Sequence, residues 1–408
     1  MEVKPGYKQT EIGVIPEDWE IVPLSSCCDV RDGTHESPKY HSNGIPLVTS
    51  KNIVDGKLDL KDVSFISELD ADMIDARSKV DTGDLLLSMI GTVGNVTKVD
   101  VADRFCIKNV ALIKPRQVTG DYLLHLLRSD YFSMTIQSKL AGGIQKFISL
   151  GMLRSLYISI MSDHEQNKIS ETLSDIDLLI TTLEKLIEKK KLIKKGVMQE
   201  LLTGKRRLPG FLGEWEAKRL GDLCQIMKGS GLSKSSLNED GSSYCILYGE
   251  LFTKYNELIE NPISKTEINQ GLRSQKGDVL LPGSTTTTGI DLAKASALMT
   301  VNVLIGGDIN VLRPLAGIYG PYLALQINTL LKHKIAEKTK GITIYHLHGK
   351  DLSDIDVRVP FFKEQVQISL VINALENEIA ILQSKRKKHL LLKQAMMQEL
   401  LTGRIRLV

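Results

Sequence analysis

The sequence is poor in the residues and patterns that mark zinc sites, membrane spans and secreted proteins. Of its 408 residues only five are cysteine, and none stands in the C-x2-C spacing that begins a zinc site. Its apolar runs break within a few residues, which argues against a membrane-spanning helix. No apolar signal segment follows the N-terminal MEVKPG. These absences predict a cytoplasmic protein that binds no metal.

Catalytic motifs are missing as well. The sequence has neither the N/D-P-P-Y/F loop of an amino-methyltransferase nor a phosphate-binding loop of the form G-x-x-x-x-G-K-S/T. The GTVG segment at 91–94 is too short for a dinucleotide-binding fingerprint and is typical of a hairpin turn. We therefore expect no catalytic residue and no cofactor in this chain, and we assign any chemistry to a partner.

What the sequence does contain is a tandem repeat. The heptapeptide MQELLTG at 198–204 recurs 199 residues later, and the pair Glu165-Gln166 recurs at the same offset. The only two tryptophans, Trp19 and Trp215, lie 196 residues apart in similar surroundings. Small differences between these offsets indicate two equivalent halves that carry short insertions.

The phase of the repeat predicts that the two ends of the chain lie close together. LPGF at 208–211 follows the first MQELLTG and resembles KPGY at 4–7. The second MQELLTG is followed by RIRLV, at the place where the next copy of that motif would begin. Such a repeat fits a closed, pseudo-two-fold molecule.

The net charge of +3 conceals two strongly basic segments. Residues 185–207 hold nine lysines and arginines against two glutamates, a net +7, and residues 385–406 hold seven against one, a net +6. The rest of the chain therefore carries −10, because the total is +3. Matching positions in the repeat favour a shared feature, although cations also suit helix C-termini without further purpose.

Two long helices are predicted, one in each half. No proline and a single glycine occur between Ser162 and Leu202, and Ser162 with Glu165 forms a capping-box pattern. Pro360 precedes the second helix. Each helix of about 40 residues would be about 60 Å long at 1.5 Å per residue. The alternating spacing of four and three predicts an antiparallel coiled coil; two helices lying separately on their own domains are the alternative. The predicted seam residues are Ile169, Leu173, Ile176, Ile180, Leu183, Ile187, Ile368, Ile372, Leu375, Ile379 and Leu382.

The segments outside the helices predict mixed α/β (α+β) globular domains in two tandem copies. Short apolar strands at 85–89 and 96–99 flank the GTVG turn, and short helices are expected after Pro115 and Pro314. We place the first domain at residues 1–161, the first helix at 162–204, the second domain at 205–360 and the second helix at 361–408.

Polar, glycine-rich loops lie between the motifs that the halves share, and these loops differ between the halves. Lys, Asn, Thr, Ser and His side chains can reach base edges and phosphates, although the same types fill ordinary loops. One scaffold with two unlike sets of loops is expected of a protein that recognises two DNA sequences. The first half offers Thr34, His35, Lys39, Tyr40, His41, Lys51, Asn52, Thr92, Asn95 and Lys146. The second half offers Ser230, Lys234, Ser284, Thr285, Thr286, Thr287, Lys340, Thr343, Tyr345, His346 and His348.

A metal site at His346 and His348 is the other interpretation of that pair. Alternate residues of a strand share one face, so both imidazoles would point the same way. No third ligand stands nearby in the sequence, and a metal site needs one. We therefore predict no metal site.

Several motifs together resemble the specificity subunit of type I restriction-modification systems. They are Trp19 with Leu24, DGTH at 32–35, SKNI at 50–53, Gly83-Asp84 before an apolar strand, the Glu-Gln helix starts and the Leu-Leu-Thr-Gly helix ends. The resemblance covers essentially the whole chain. It departs from the family at 160–163, where a proline-rich approach to the helix is usual.

The resemblance implies that each domain is a target recognition domain for one half of a bipartite, asymmetric double-stranded DNA site. It implies that the helices set the half-site spacing and bind two methyltransferase subunits, which use S-adenosylmethionine to methylate adenine. Restriction subunits, with ATP and Mg²⁺, would be optional further partners. It implies no membrane partner and no cofactor bound by this chain.

Two other interpretations stay open from the residues alone. A coiled-coil scaffold that never touches DNA fits the −10 charge outside the basic segments, because DNA affinity depends mainly on neutralised phosphates. An enzyme without familiar motifs is the third, and turnover by the isolated chain would reveal it.

Overall fold

The chain divides into two compact units that share both long helices. The structure is a computed structural model that describes residues 4–54, 56–141 and 147–408, so the candidate Lys146 lies outside the described residues. Unit 1 comprises Met1–Glu184 and Ser384–Val408, and unit 2 comprises Lys185–Gln383. The two breaks, after residues 184 and 383, are 199 residues apart, which is the offset of the repeat. The sequence-based boundaries instead separated the helices from the domains.

Unit 1 is built around an antiparallel sheet. Its strands are β1 Tyr7–Thr10, β2 Gly13–Pro16, β3 Glu20–Pro23, β4 Cys28–Asp32, β5 Ile45–Val48, β6 Ile53–Val54, β7 Lys57–Leu58, β8 Ser64–Ile66, β9 Leu85–Ser88, β10 Val96–Lys98, β11 Cys106–Ile107, β12 Val110–Pro115 and β13 Tyr157–Ile160. Its helices are α1 Leu24–Cys27, α2 Glu68–Ser78, α3 Gly120–Leu127, α4 Asp130–Ala141, α5 Leu150–Arg154 and the first part of α6 Asp163–Thr203. The central sheet has the order β10-β9-β12-β4.

The core of unit 1 forms because its central strands are apolar on both faces. All four residues of β9 are buried, which is expected of a strand covered on both sides. The predicted hairpin around GTVG is confirmed, since β9 and β10 pair antiparallel with Val96 opposite Leu87. A second, three-stranded sheet in the order β11-β5-β8 lies beside α2 and includes a parallel pair, β11 with β5.

Unit 2 repeats this plan with a wider sheet. Its strands are β14 Glu216–Arg219, β15 Cys224–Lys228, β16 Ser243–Ile246, β17 Leu258–Ile259, β18 Lys265–Thr266, β19 Asp278–Pro282, β20 Ser284–Thr285, β21 Ser296–Leu298, β22 Leu304–Ile305, β23 Ile309–Pro314, β24 Tyr345–His346 and β25 Asp356–Val359. Its helices are α7 Leu220–Leu223, α8 Tyr248–Thr253, α9 Gly320–Thr329, α10 Lys332–Ala336 and the first part of α11 Phe362–Leu400. The main sheet has the order β15-β23-β19-β21-β17.

Within each unit, part of α6 runs antiparallel to part of α11. In unit 1, Ile169 and Leu173 share a core with Leu400 and Leu401, and Lys393 Nζ lies 2.6 Å from an oxygen of Asp177. In unit 2, Leu201 and Leu202 share a core with Ile368 and Ile372, and Lys194 Nζ lies 2.6 Å from an oxygen of Glu376. The residue numbers on one helix rise as those on the other fall, which is the antiparallel pairing that the sequence predicts.

The predicted seam is largely buried. Ile169, Leu173, Ile176, Ile180, Leu183, Ile187, Ile368, Ile372 and Ile379 are at most 8% exposed. Leu375 and Leu382 are only half-buried. No helix within the described residues is both long and apolar enough to cross a membrane.

The start of α6 differs from the predicted capping box. The Ser162 hydroxyl accepts a hydrogen bond from the Glu165 backbone N–H at 3.3 Å, as expected of a helix start. The Glu165 carboxylate does not complete the box; it accepts from Trp19 Nε1 at 3.1 Å and from the Arg406 guanidinium at 2.8 Å. A tertiary contact has therefore replaced the local one.

Residues near the two ends of the chain meet within unit 1. The Tyr7 hydroxyl donates to the Gly403 carbonyl at 2.9 Å, and Arg406 Nη1 donates to a carboxylate oxygen of Asp18 at 2.9 Å. Gly403 has a φ of +69°, the left-handed conformation that commonly ends a helix. This contact confirms the proximity that the repeat phase predicts.

Candidate nucleic-acid interface

In each unit, the candidate site begins at a tight turn that follows the first strand of the main sheet, β4 in unit 1 and β15 in unit 2. Gly33 follows β4 and Gly229 follows β15, and each N–H donates to the strand beside it, to the carbonyls of Val110 and Ile309. A Cβ on Gly33 would collide with the Ile107 carbonyl, and one on Gly229 would collide with the Gly306 carbonyl. Only glycine permits this approach, so the loops that follow leave the sheet at the same point.

The neighbouring strand begins with a strained residue that is also equivalent in the two units. Asn109 has a φ of +55° and Asp308 has a φ of +63°. Residues other than glycine rarely adopt this conformation, although Asn and Asp tolerate it best. These two residues lie 199 positions apart and stand immediately before β12 and β23. Each is the centre of a polar cluster.

Cluster 1, defined as Asp32, His35, Arg77, Lys108 and Asn109, lies in unit 1. The Asp32 side chain is 9% exposed, and it is held between the Arg77 guanidinium and His35 Nε2, which lies 2.8 Å from Oδ2. Asp32 closes β4, whereas Arg77 belongs to the last turn of α2. A nearly buried carboxylate thus anchors two outward-facing side chains that can be cationic.

This arrangement favours the protonated form of His35. Its Nδ1 lies 2.8 Å from Oδ1 of Asn109, and its Nε2 faces Asp32. The Asn109 hydrogen bond, followed by that of Asp32, raises the pKa of His35 above its usual value, while partial burial opposes the rise. A raised pKa favours the imidazolium, and its positive charge suits a surface that faces phosphates.

A loop rich in predicted candidates is tied to the same cluster. Lys108 Nζ donates to the Ser37 hydroxyl at 2.6 Å and to the Tyr40 hydroxyl at 3.4 Å. Thr34 forms an isolated parallel bridge with Lys108. The structure therefore brings Thr34, His35 and Tyr40 together, and Lys39 and His41 lie on the exposed part of this loop.

Two asparagines predicted to contact DNA make hydrogen bonds within their own unit. Asn52 is 3% exposed; its amide oxygen accepts from the Thr49 N–H and its amide nitrogen donates to the carbonyls of Asp59 and Asp62. The Asn95 amide donates to the Ile53 carbonyl. The buried Asn52 amide is therefore occupied within its own loop, which corrects that prediction, whereas Asn95 is half-buried and stays a prediction. Lys51, which is exposed and pairs with Asp62 at 3.2 Å, and the exposed Thr92 lie outside cluster 1.

Cluster 2, defined as Lys228, Ser284, Asp308 and His346, occupies the equivalent place in unit 2. Lys228 Nζ lies 3.3 Å from Oδ1 of Asp308, and the Ser284 hydroxyl donates to the other oxygen. Burial would raise the pKa of Asp308, but the Ser284 and Lys228 contacts hold it below its usual value. Ser284 is 9% exposed, so it supports Asp308 rather than offering a free hydroxyl, which corrects that prediction.

Other predicted residues of the second half surround cluster 2. Thr285 pairs with Tyr345, and Ser284 pairs with His346, in the short β20–β24 ladder. The hydroxyl of Thr287 donates to Asp291 at 2.7 Å, and Lys340 Nζ lies 3.1 Å from Asp351. Exposed positions in these loops and in the loop after Gly229 are occupied by Ser230, Lys234, Thr286, Thr343 and His348.

The His346 and His348 rings stack on each other with their centroids 6.4 Å apart. In the part of the chain that the structure describes, no group of three or more His, Cys, Asp or Glu side chains could hold a metal ion.

Sequence reasoning missed several residues of these clusters. Arg77 lies in a helix without a clear apolar face, 45 residues from its partner Asp32, so no local pattern marks it. Asn109 and Asp308 carry a usable signal, because each precedes an apolar strand at the repeat offset. Searching the repeat for paired Asn and Asp residues before strands would have found them.

The basic segments are neutralised more than the sequence suggests. In unit 2, Lys190 and Lys194 pair with Glu378 and Glu376 at 2.7 and 2.6 Å. In unit 1, Arg386 and Lys393 pair with Glu184 and Asp177 at 2.6 Å. These cations therefore flank the helix seam, and neither basic segment is a free basic surface along its whole length.

Comparison with known proteins identifies the family. The model described as type I restriction modification DNA specificity domain matches twice, at residues 16–194 and 213–392. The chain belongs to this family. The two matches correspond to the two halves of the repeat and together cover most of the sequence.

Members of the family resemble the chain along its full length in some cases and along about half of it in others. The putative type I restriction enzyme MjaX specificity subunit of Methanocaldococcus jannaschii is 26% identical over 98% of this chain and 96% of its own. The EcoBI specificity subunit of Escherichia coli is 23% identical over 55% of this chain and 48% of its own. The solved S subunit of a type I system from M. genitalium has a TM-score of 0.61 at 14% identity, with 98% of both chains covered. That last likeness concerns the fold.

Proposed function

We propose that the chain is the non-catalytic specificity subunit of a type I restriction-modification complex. Each unit recognises one half of a bipartite, asymmetric double-stranded DNA site through its own polar cluster and the loops around it. The long helices set the spacing of the half-sites and bind two methyltransferase subunits. Those subunits supply S-adenosylmethionine, and restriction subunits, where present, bring ATP and Mg²⁺.

The observation that carries this proposal is the pair of unlike clusters on like scaffolds. Cluster 1 and cluster 2 lie at equivalent strand ends. Each lies beside an equivalent glycine turn and includes an equivalent residue with a left-handed backbone conformation. In cluster 1 the central carboxylate, Asp32, holds the Arg77 guanidinium and the His35 imidazole, whereas in cluster 2 the central carboxylate, Asp308, holds the Lys228 ammonium and the Ser284 hydroxyl. Identical placement with different chemistry is expected where two domains recognise different bases.

Equivalent cavities beside the long helices of the two units support the proposal that two copies of one partner bind. Unit 1 has a cavity of about 840 Å³ lined by Lys393, Met397 and Gln398 among others. Unit 2 has one of about 480 Å³ lined by Lys194, Met198 and Gln199. The three residues match pairwise at the repeat offset of 199. A partner that binds once in each unit is the simplest use of a feature that the repeat has duplicated.

Apolar side chains exposed on the helices support the same conclusion. Leu391 and Leu392 in unit 1 are 58% and 49% exposed, and Leu192 and Ile193, their equivalents in unit 2, are 69% and 40% exposed. Large exposed apolar side chains in a row mark contact surfaces rather than solvent-facing ones. This surface suits the methyltransferase subunits of the proposal.

Genome-wide mapping of methylated adenines tests the function. The chain is expressed with its cognate methyltransferase subunit in a host that does not methylate adenine itself. We expect methylation at one asymmetric motif made of two specified parts and an unspecified gap. Cells that carry the methyltransferase subunit without this chain are the control, and they should show no motif. A single uninterrupted motif would refute the proposed division of labour between the units.

A further inference from the structure

One side of the Arg77 guanidinium is held by a contact within unit 1, and the other side faces solvent. One of its terminal nitrogens, Nη2, contacts the nearly buried Asp32, and its backbone carbonyl accepts from Arg31 Nη1 at 3.0 Å. The Arg77 side chain is nevertheless 62% exposed. In the described parts of the chain, no acceptor contacts its Nε or Nη1. A guanidinium has five donor hydrogens in a rigid fork, so most of them face outward.

Other arginines of unit 1 show what a structural guanidinium looks like. The three nitrogens of the Arg104 guanidinium donate to the carboxylates of Glu68, Asp72 and Asp75, which all belong to α2. Arg154 donates through Nε and Nη2 to the Val30 carbonyl. Arg77 differs because a single carboxylate holds it and leaves its outer edge unused.

An arginine that precedes the central strand of the unit 2 sheet is arranged differently. Arg273, 196 residues after Arg77, donates through Nη1 and Nη2 to the carbonyls of Asn302 and Asn269. Its terminal nitrogens are therefore committed to the loops of its own unit. The free guanidinium edge is a feature of unit 1, as expected if it serves the sequence recognised by that unit and no other.

The surroundings of Arg77 favour nucleic acid in front of it. His35 Nε2 contacts the second oxygen of Asp32, so each oxygen of this carboxylate has a partner and its orientation toward Arg77 is stabilised. His35 and Lys108 add positive charge beside it. Because Nη2 has a second hydrogen, the guanidinium can still present two parallel N–H donors, one from Nη2 and one from Nε or Nη1, and such a pair matches O6 and N7 of guanine in the major groove.

We propose that Arg77 recognises a guanine in the half-site of unit 1, with Asp32 and His35 as positioning residues. This inference rests on the proposed function and adds the base that the cluster selects. Asp32 sets the plane of the guanidinium, and His35 holds Asp32 in place. Lysine cannot replace Arg77 in this role, because an ammonium makes a point contact rather than a bidentate one.

Methylation mapping of Arg77→Lys and Arg77→Ala complexes tests the inference. We expect one guanine position in one half-site to lose its preference, by roughly tenfold to a hundredfold, while the other half-site stays unchanged. Asp32→Asn should relax the same position, because the guanidinium loses its anchor. Arg116→Ala is the matched control: Arg116 is an exposed arginine on a single carboxylate, Asp29, at the opposite end of the β4–β12 pair, and its variant should keep the motif.

The outcomes separate the inference from the function on which it rests. Weaker methylation with an unchanged motif would show that Arg77 contacts a phosphate, and unchanged methylation would place it away from DNA; either result overturns the inference. A wild-type complex without a bipartite motif overturns the proposed function itself. Arg77→Lys keeps a cation beside Asp32, so it remains informative if the alanine variant fails to fold.

Discussion

Arg406→Ala is expected to lower the free energy of unfolding of unit 1 by about 3 kcal/mol, because it leaves a buried carboxylate unpaired. The Glu165 side chain is 1% exposed, and Arg406 is its charge partner at 2.5 Å. Arg406 also binds Asp18 and lies 5.6 Å from the centre of the Trp19 ring. Removing the arginine therefore releases the C-terminal segment from the N-terminal strands.

Urea unfolding followed by Trp19 fluorescence measures this loss. The experiment uses a Trp215→Phe background, since these are the only two tryptophans and Trp215 belongs to unit 2. Arg404→Ala is the control: its partner Glu399 is a surface residue and the Arg404 side chain is 57% exposed, so a change of about 0–1 kcal/mol is expected. Adding Glu165→Gln to Arg406→Ala should recover part of the loss, because it removes the unpaired charge and keeps an acceptor for Trp19. Equal losses for Arg406→Ala and Arg404→Ala would contradict this account.

Insertion of seven residues after Glu184 in α6 and after Gln383 in α11 is expected to abolish methylation of the original motif and lengthen its unspecified gap. Seven residues keep the heptad phase and add about 10 Å at 1.5 Å per residue. Distance alone corresponds to about three base pairs at 3.4 Å each. Every added base pair also rotates the far half-site around the axis of the duplex, and a smaller rotation is easier to accommodate. We therefore expect the gap to lengthen by one or two base pairs rather than three.

Single insertions provide the control for this experiment. Seven residues in α6 alone would shift partners such as Lys194 and Glu376 out of register. We expect loss of methylation without a new gap length in that case. Methylation mapping of the three chains distinguishes these results, and an unchanged gap after the double insertion would show that the helices do not set the spacing.

The helices and the repeat were predictable because their signals are local. The heptad spacing of Ile169 and Leu173 needs no knowledge of distant residues, and both are fully buried. The hairpin between β9 and β10 was equally predictable from GTVG flanked by apolar residues. Periodicity and turn chemistry decide these elements before tertiary contacts form.

The parts that failed depend on contacts between distant residues. Glu165 was assigned to a capping box, but the tertiary contacts with Trp19 and Arg406, 146 and 241 residues away, determine where its carboxylate lies. Asn52 has the chemistry of a base contact, yet backbone groups of its own loop occupy it. In each case the residue type suggested one role, whereas the buried contacts of the side chain in the fold give it another.

The candidate interface was predictable in outline only. The loops that carry Thr34, His35 and Tyr40 were correctly grouped by their place between shared motifs, and the structure ties them together through Lys108. Whether a basic side chain is free to contact DNA depends on the carboxylates with which it pairs in the fold, and no sequence pattern predicts those pairs. Arg77 therefore emerges only from the three-dimensional arrangement.

Exchange of residues 205–360 for the matching segment of a relative with a different methylated motif tests the central claim most directly. The claim is that each unit recognises its own half-site on a shared scaffold. Mapping methylated adenines should show that the half-site of unit 1 is kept and that the other half changes to that of the relative. A motif that stays the same in both halves, or that changes in both, would contradict the claim.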